Sequence, residues 1–532
     1  MITIKSEYSF DQFLEQRDKL DYLDNPFLQK VFHNYSEKDW TYSFDNLKAF
    51  SLKSSNRWKQ LIDEISRVEN HPKIRHYDAY NHRIDRIIRP QEMYQLENEV
   101  FSNGLFSEKT SSQLRAMKRF LLHHNGEAGL TCPIACTDGL IALLENFKDE
   151  LSPELEQILK HCKEGINGDF GIGAQFMSEI QGGSNIPANV LKAVNEGNYY
   201  RLYGNKFFCS AAHADYSVVT ARIEGTDHIG VFVVPTWLKG DKEKEIRNNH
   251  KLNRLKWKLG TTELPSAEIE YEGAIAYPIG PIDKGVALAV GIVLTRSRID
   301  IGFASAAFMM RAARESILYA RFREVFDRRI DEFPMAKAQL DNIEHMAKRT
   351  TATAFKISNI FETISSKPAT RDQELEIRIL ILLQKIFASR DTVDILKTAI
   401  SIFGGHGVME DFSSIPRLFR DAMVNELWEG PRNVLLSQIY RDLQKNKSTC
   451  PPEKLLASLL SSYDIGTIKD LQTRLVSLLQ INLYDRPNNS NINAAKKWED
   501  LWSDVFYLYQ NQVLEELQDT SLIPHDVFDS LS

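Results

Sequence analysis

The sequence predicts an α+β chain: a helical N-terminal part, a small β domain, then a helical C-terminal part. Three observations carry this. Between residues 138 and 149, Leu140, Leu143, Leu144 and Phe147 fall on one face at helical spacing. Between about 198 and 271 the chain breaks into short segments rich in Tyr, Val, Ile and Phe, punctuated by Gly, Asn and Asp. After Gly285 helical periodicity returns, and Phe303, Ala307, Met310, Ile317 and Ala320 can share one face of a long helix.

The elements divide the chain into four parts. Residues 1–167 form a helical domain, with helices predicted at 56–68, 91–100, 111–124 and 138–149. Residues 168–284 form the β domain, with strands predicted at 198–204, 216–223, 230–234 and 266–271; in the last, Ala267, Ile269 and Tyr271 lie on one side. Residues 285–444 are helical again, and 375–403 is apolar nearly all round, as a helix buried in a bundle is. Residues 445–532 form a helical extension entered through a polar linker with Pro451–Pro452, with helices predicted at about 467–483 and 493–518. At 532 residues the chain is too long for one core, so two to four domains are expected.

Composition narrows the function classes. A net charge of −7 provides no global field to draw nucleic acid or anionic lipid. The five cysteines, Cys132, Cys136, Cys162, Cys209 and Cys450, are odd in number and lack a CxxC pair, so they read as reduced thiols of a cytoplasmic protein. No run approaches the roughly 18 apolar residues of a membrane span, and MITIKSEYSF at the start has no apolar core of a secretory signal. His76, His82 and His406 lack ligand spacing, so no metal site is predicted.

The glycines exclude one cofactor mode and permit another. Gly171 and Gly173 lack the third glycine of a dinucleotide fingerprint, and the Gly404–Gly405–His406–Gly407 run is wrongly spaced for it. In MSEIQGGS, at 177–184, Gly182 and Gly183 let backbone approach a ligand while Ser178 and Ser184 offer hydroxyls; taken alone the segment reads first as a plain Gly-Gly turn, because Gly pairs are common turn formers. Phe207, Phe208, Cys209 and Ser210 put aromatics beside a hydroxyl, suited to covering a flat ring or to ending a core strand.

Four segments in order resemble the acyl-CoA dehydrogenase family: MSEIQGGSN at 177–185, GNKFFCSAAHAD at 204–215, TRSRIDIGFASAAFMMRAARESILYARFREVF at 295–326, and FGGHGVMEDFSSIPRLFRDAMVNELWEGPRN at 403–433. HYDAYNHRIDRI at 76–87, EAGLTCPIACT at 127–137 and the C-terminal extension are similar to its AidB-like branch, named for a bacterial adaptive-response flavoprotein. The resemblance implies an N-terminal helical domain, a central antiparallel β domain and a C-terminal four-helix bundle. It implies FAD, held by Met177, Ser178, Gly182, Gly183, Ser184, Phe208, Cys209 and Ser210, with Gly430 and Asn433 toward the adenosine side. Arg323, Val325, Phe326, Gly404 and Gly405 would reach FAD across a subunit interface, in a homotetramer. Arg298 matches the arginine that contacts the CoA substrate.

The implied reaction is α,β-dehydrogenation of a fatty acyl thioester, with flavin N5 as hydride acceptor and an electron-transferring flavoprotein as the onward partner. Glu429 stands at the base position, flanked by Leu427 and Trp428, which would raise its pKa toward the working range. From the residues alone Glu429 can equally be a helix-start carboxylate. Ser297, where some members place the base, carries no carboxylate. Pro334, Ser401 and Pro431 depart from the usual residues at their positions, and Asn185 stands where Asp is common. Two alternatives follow: a DNA-associated protective flavoprotein, or a flavoprotein that sequesters acyl-CoA without turnover. Residues 445–532 carry eight Lys/Arg and twelve Asp/Glu, 8 − 12 = −4, a poor surface for phosphates.

Overall fold

The computed structural model describes residues 8–19, 21–36 and 40–519. The first seven residues of MITIKSEYSF and the end of the 445–532 extension lie outside the described residues. The N-terminal part contains α1 (Asp11–Lys19), α2 (Pro26–Asn34), α3 (Trp40–Leu52), α4 (Trp58–Ile65), α5 (Gln91–Phe101), α6 (Ser112–His123), α7 (Thr131–Asn146) and α8 (Pro153–Glu164). Ser111 caps α6 by accepting from Leu114 N, and Ser152 caps α8 by accepting from Leu155 N, satisfying amides that have no intrahelical partner. One element departs from the helical expectation. Strands β1 (Lys73–Tyr77) and β2 (Arg83–Ile88) form an antiparallel hairpin that contains HYDAYNHRIDRI. Asp78 builds its turn by accepting from the amides of Tyr80 and His82. Asp85 docks the hairpin on the β domain by accepting from Leu252 N at 2.9 Å.

The β domain contains β3 (Gly173–Phe176), β4 (Lys192–Asn195), β5 (Tyr200–Ser210), β6 (Tyr216–Ile223), β7 (Ile229–Pro235), β8 (His250–Leu255) and β9 (Ser266–Pro278). The order is β3-β6-β4-β5-β9-β7, with β8 added on β9, and β6 also pairs with β7, closing the strands into a ring. β6 runs parallel to β3 and β4; the other described pairings are antiparallel. Closure leaves few free sheet edges. The ring encloses its own core of Ala193, Leu202, Cys209, Val219, Phe232 and Ile269.

Helix α9 (Gly285–Leu288) passes through a π turn, Ala289–Val293, into α10 (Leu294–Phe322). α11 (Pro334–Ser365), α12 (Arg371–Leu383), α13 (Ser389–Phe403), α14 (Ile415–Asn425) and α15 (Arg432–Asn446) complete the bundle. A second π turn, Gln384–Ala388, joins α12 to α13 within the stretch read as one buried helix. α10 is buried on nearly every face and packs against α6, α7, α11 and α13, making it the central post. The extension is α16 (Pro452–Leu459), α17 (Ile465–Leu479) and α18 (Asn489–Asp519). α18 packs on α11, with Trp498 and Trp502 buried, so the extension is docked on the bundle. No described helix is long and apolar enough to cross a membrane.

Candidate active site

The turn between α14 and α15 is bent by its own residues. Pro431 precedes α15, with the extended backbone that starts a helix. Gly430 takes φ +106° and Glu429 takes φ +59°. A left-handed conformation at a non-glycine residue costs on the order of 1–3 kcal/mol and persists only where its surroundings hold it. Two buried cations hold this one. Arg298, on α10, donates from Nε and Nη2 to the Glu429 carbonyl at 3.2 and 3.1 Å. Lys385, in the second π turn, donates to the carbonyls of Glu426 and Gly430 at 2.6 and 2.7 Å.

The Glu429 side chain is held from the other side. Gln175 Nε2, on β3, donates to Glu429 Oε1 at 2.7 Å and lies 3.2 Å from Ser297 Oγ. Glu429 keeps partial exposure because it lines a cavity, while protein packs densely around it. Burial pushes its carboxyl up to about 7, against the opposing pull of Arg298, Lys385 and the Gln175 bond. Burial also brings Lys385 down to about 7 and Arg298 down to about 10, with Glu429 opposing both shifts. A carboxyl poised near neutrality in a cavity is what general-base chemistry at neutral pH requires.

The cavity has a volume of about 1530 Å³ and runs between the β ring and the bundle. That exceeds the roughly 300–1,000 Å³ of a single small-ligand pocket and leaves room for a cofactor and a substrate together. One stretch is formed by the 177–185 turn, Phe208, Ser210 and Trp428; another follows α10 through Ser297, Ile301, Ala304 and Phe308. The α10 positions recur every three to four residues, so they draw one apolar stripe along the helix. Asp300 on the same face accepts from Arg119 at 2.9 and 2.6 Å and pairs with His123 at 3.1 Å, so this polar group is compensated. Burial would raise the Asp300 carboxyl, but Arg119 and His123 hold it below the usual range.

The glycine turn has the shape of a cradle. Gly182 has φ +124°, and a Cβ on Gly183 would stand 2.2 Å from Ser178 Oγ. Phe208 is 54% exposed beside the cavity, its ring edge-on to Phe207 with Lys256 Nζ 4.9 Å from its centroid. Hydroxyls of Ser178, Ser184 and Ser210 line the same space, so the residues fit a flat polar ring with a phosphate-bearing tail.

Of the residues singled out from sequence, Met177, Ser178, Gly183, Ser184, Phe208, Ser210, Arg298, Glu429 and Gly430 line this one cavity. Cys209 does not: strand alternation turns it into the β core, 0% exposed, between Phe208 and Ser210. Asn433 is exposed on α15, whose cavity face is Val434, Gln438, Arg441 and Lys445. Gly182 shapes the turn without lining the space. Arg323, Val325 and Phe326 lie at the end of α10, and Gly404 and Gly405 just after α13; none lines the cavity within one chain. Sequence reasoning missed Gln175 and Lys385. Gln175 stands two residues before MSEIQGGS on a short strand, and Lys385 is a lone charge in an apolar stretch. That second anomaly is the signal that was available, since a buried lysine needs partners.

The described family "Acyl-CoA dehydrogenase, C-terminal domain" matches residues 283–444. The chain is 27% identical over 443 residues to Acyl-CoA dehydrogenase family member 11 of Caenorhabditis elegans, covering 79% of this chain and 70% of that protein. It is 28% identical to the putative acyl-CoA dehydrogenase AidB of Escherichia coli, covering 72% and 71%. Among solved structures, Caenorhabditis elegans ACDH-11 in complex with C11-CoA superposes with a TM-score of 0.82 at 24% identity, covering 95% of this chain and 88% of that one. Butyryl-CoA dehydrogenase from Megasphaera elsdenii gives 0.62 at 18% identity, covering 77% and 99%. Together with the helix–β–helix architecture, these matches make the chain similar to acyl-CoA dehydrogenases over most of its length, with residues 283–444 matching the family's C-terminal domain.

Proposed function

We propose that this protein is an FAD-dependent acyl-CoA dehydrogenase of the AidB-like branch, removing hydrogens from Cα and Cβ of a fatty acyl thioester with Glu429 as base. The observation that carries this reading is the Glu429 carboxyl, lining a two-ligand cavity with its pKa raised to about 7. An α-hydrogen next to a thioester carbonyl is acidic enough for a positioned carboxylate to remove it. Glu429 takes that proton, and Gln175 and Arg298 keep its carboxylate and its backbone aimed into the cavity. The apolar stripe on α10 shields the acyl chain from water. FAD, when bound, supplies the hydride acceptor. Met177, Ser178, Gly183, Ser184, Phe208 and Ser210 would hold it, with Gly182 shaping the turn and Cys209 contributing backbone only.

The protein acts as a homotetramer in this reading, with Arg323, Val325, Phe326, Gly404 and Gly405 reaching a neighbouring subunit's FAD. Phe326, Met335 and Val408 are 90%, 85% and 71% exposed in the single chain, which supports burial of that edge by another copy. Electrons leave to an electron-transferring flavoprotein, and the exposed Trp257 and Leu427 beside the cavity support docking there. All five cysteines are free, which supports a cytoplasmic location. Anaerobic spectral titration of the flavin-loaded protein with a panel of acyl-CoAs tests the reading. Bleaching in the wild type and not in Glu429→Gln supports it; acyl-CoA binding with no bleaching in either protein overturns turnover.

A further inference from the structure

Lys385 is a buried cation outside the sequence motifs discussed above. Its side chain is 1% exposed, in a one-turn π segment between two apolar helices. π turns of this kind recur at functional sites because they re-aim one residue without breaking a helix. The ammonium donates to Glu426 O at 2.6 Å and Gly430 O at 2.7 Å. Those carbonyls bracket the base turn: Glu426 caps the end of α14, and Gly430 comes just before α15. The first is also where the dipole of α14 is negative, so a cation fits there. Between them Glu429 holds its left-handed backbone. An uncompensated buried ammonium costs several kcal/mol, so these contacts are needed by the lysine as much as by the turn.

We propose that Lys385 is a positioning residue for the base: by tying the carbonyls of Glu426 and Gly430 together it locks the turn that aims the Glu429 carboxyl into the cavity. The proposal rests on Glu429 being the base. The charged groups facing this carboxyl are Arg298 from α10 and Lys385 from the π turn. Glu426 lies beside Lys385, and Arg378 of α12 and Asp442 of α15 lie near Arg298. Lys385 is thus one of two cations acting on it. Arg298 holds the Glu429 carbonyl itself, so the two divide the work: one fixes the ends of the turn and the other its centre.

The test compares FAD-loaded Lys385→Met, Lys385→Gln and Lys385→Arg with wild type and Glu429→Gln. Three quantities are read: the rate of anaerobic flavin reduction by acyl-CoA, amide hydrogen exchange across residues 427–430, and an infrared pH titration of the carboxyl band lost in Glu429→Gln. In Lys385→Met, reduction slows by about tenfold or more with half-saturation within about threefold, as expected when geometry rather than binding is lost. The 427–430 amides exchange faster, and the carboxyl midpoint rises by roughly half a pH unit or more. Lys385→Arg recovers all three, and Lys385→Gln recovers exchange protection but not the midpoint. A Lys385→Met enzyme with wild-type rate, exchange and midpoint overturns the proposal. If that variant does not fold, identical exchange and midpoints in the Gln and Arg variants overturn it. If no acyl-CoA reduces the wild-type flavin, it is the base reading that fails, and the exchange and infrared arms still decide the role of Lys385.

Discussion

Gln175 donates its side-chain amide to the Glu429 carboxylate across 2.7 Å, joining the first strand of the β ring to the turn between α14 and α15. The bond crosses the seam between the two halves of the cavity, so the orientation of the carboxyl depends on how the β ring sits on the bundle. Its electrostatic effect opposes that of burial: it favours the charged form, and burial disfavours it more.

The first prediction concerns pH. A base must be ionised to accept a proton, so the rate of acyl-CoA-driven flavin reduction rises with pH through about 7 and levels above it. In Gln175→Leu the carboxylate loses a donor, and the midpoint moves up by roughly one pH unit, the worth of a hydrogen bond to a charged group. Stopped-flow reduction between pH 5.5 and 9 reads both. A flat profile in the wild type contradicts the assignment of the limb to Glu429.

The same shift makes a stability prediction. The folded-state pKa of Glu429 is raised from 4.5 to about 7, so the folded protein binds more protons than the unfolded chain between those values. This residue therefore costs no stability below about pH 4.5 and an increasing amount as pH rises through 7. Discounted for water in the cavity, Glu429→Gln is more stable than wild type by about 1–2 kcal/mol at pH 8, with the difference vanishing in acid. Denaturant melts at pH 5 and pH 8 check this.

Much of the architecture was legible in the sequence, and the reasons are local. The strand 216–223 is a β-rich run bounded by turn residues, and β6 occupies it. β4 and β8 were not anticipated: KAVN and HKLNRL carry lysine, asparagine and arginine, and they are strands because β5 and β9 pair with them. The hairpin at Lys73–Ile88 escaped for the same reason, its charges serving the contact with β8. Glu429 stood out through its motif, but Gln175 reaches it across 254 positions and Lys385 reaches Gly430 across 45, distances that no local pattern encodes. The residue-level reading took Cys209 with its neighbours, although strand alternation separates it from both.

Gly302, on α10, faces the second π turn. A Cβ there would stand 1.7 Å from the Gln384 amide nitrogen, and Gln384 is itself 1% exposed. Gly302→Ala forces that side chain and its π turn to shift, costing about 1–3 kcal/mol by overpacking. Because Lys385 is the next residue, flavin reduction slows as well. Thermal melts and reduction rates measure the two effects; an alanine variant as stable and as fast as wild type contradicts this packing.

Asp421 ties three parts of the chain together. Its carboxylate accepts from Thr261 N at 2.7 Å and from Glu127 N at 3.1 Å. Burial, with Glu263 nearby, raises its carboxyl to about 6; burial, with Asp421 nearby, raises that of Glu127 to about 8. Asp421→Ala leaves two buried amides without acceptors and costs about 2–4 kcal/mol, whereas Asp421→Asn retains one acceptor and costs less. With both folded-state values raised above their ordinary ones, wild-type stability declines as pH climbs from about 4 to 8, Asp421 contributing up to about 6 and Glu127 up to about 8. Urea melts across that range test the sign.

The central claim is that Glu429 removes a substrate proton inside the shared cavity, and anaerobic titration of the flavin spectrum with acyl-CoAs of graded length tests it most directly. The account predicts that at least one thioester bleaches the wild-type flavin and that Glu429→Gln binds the same thioester with the flavin left oxidised. Bleaching of the Glu429→Gln protein at the wild-type rate would contradict it.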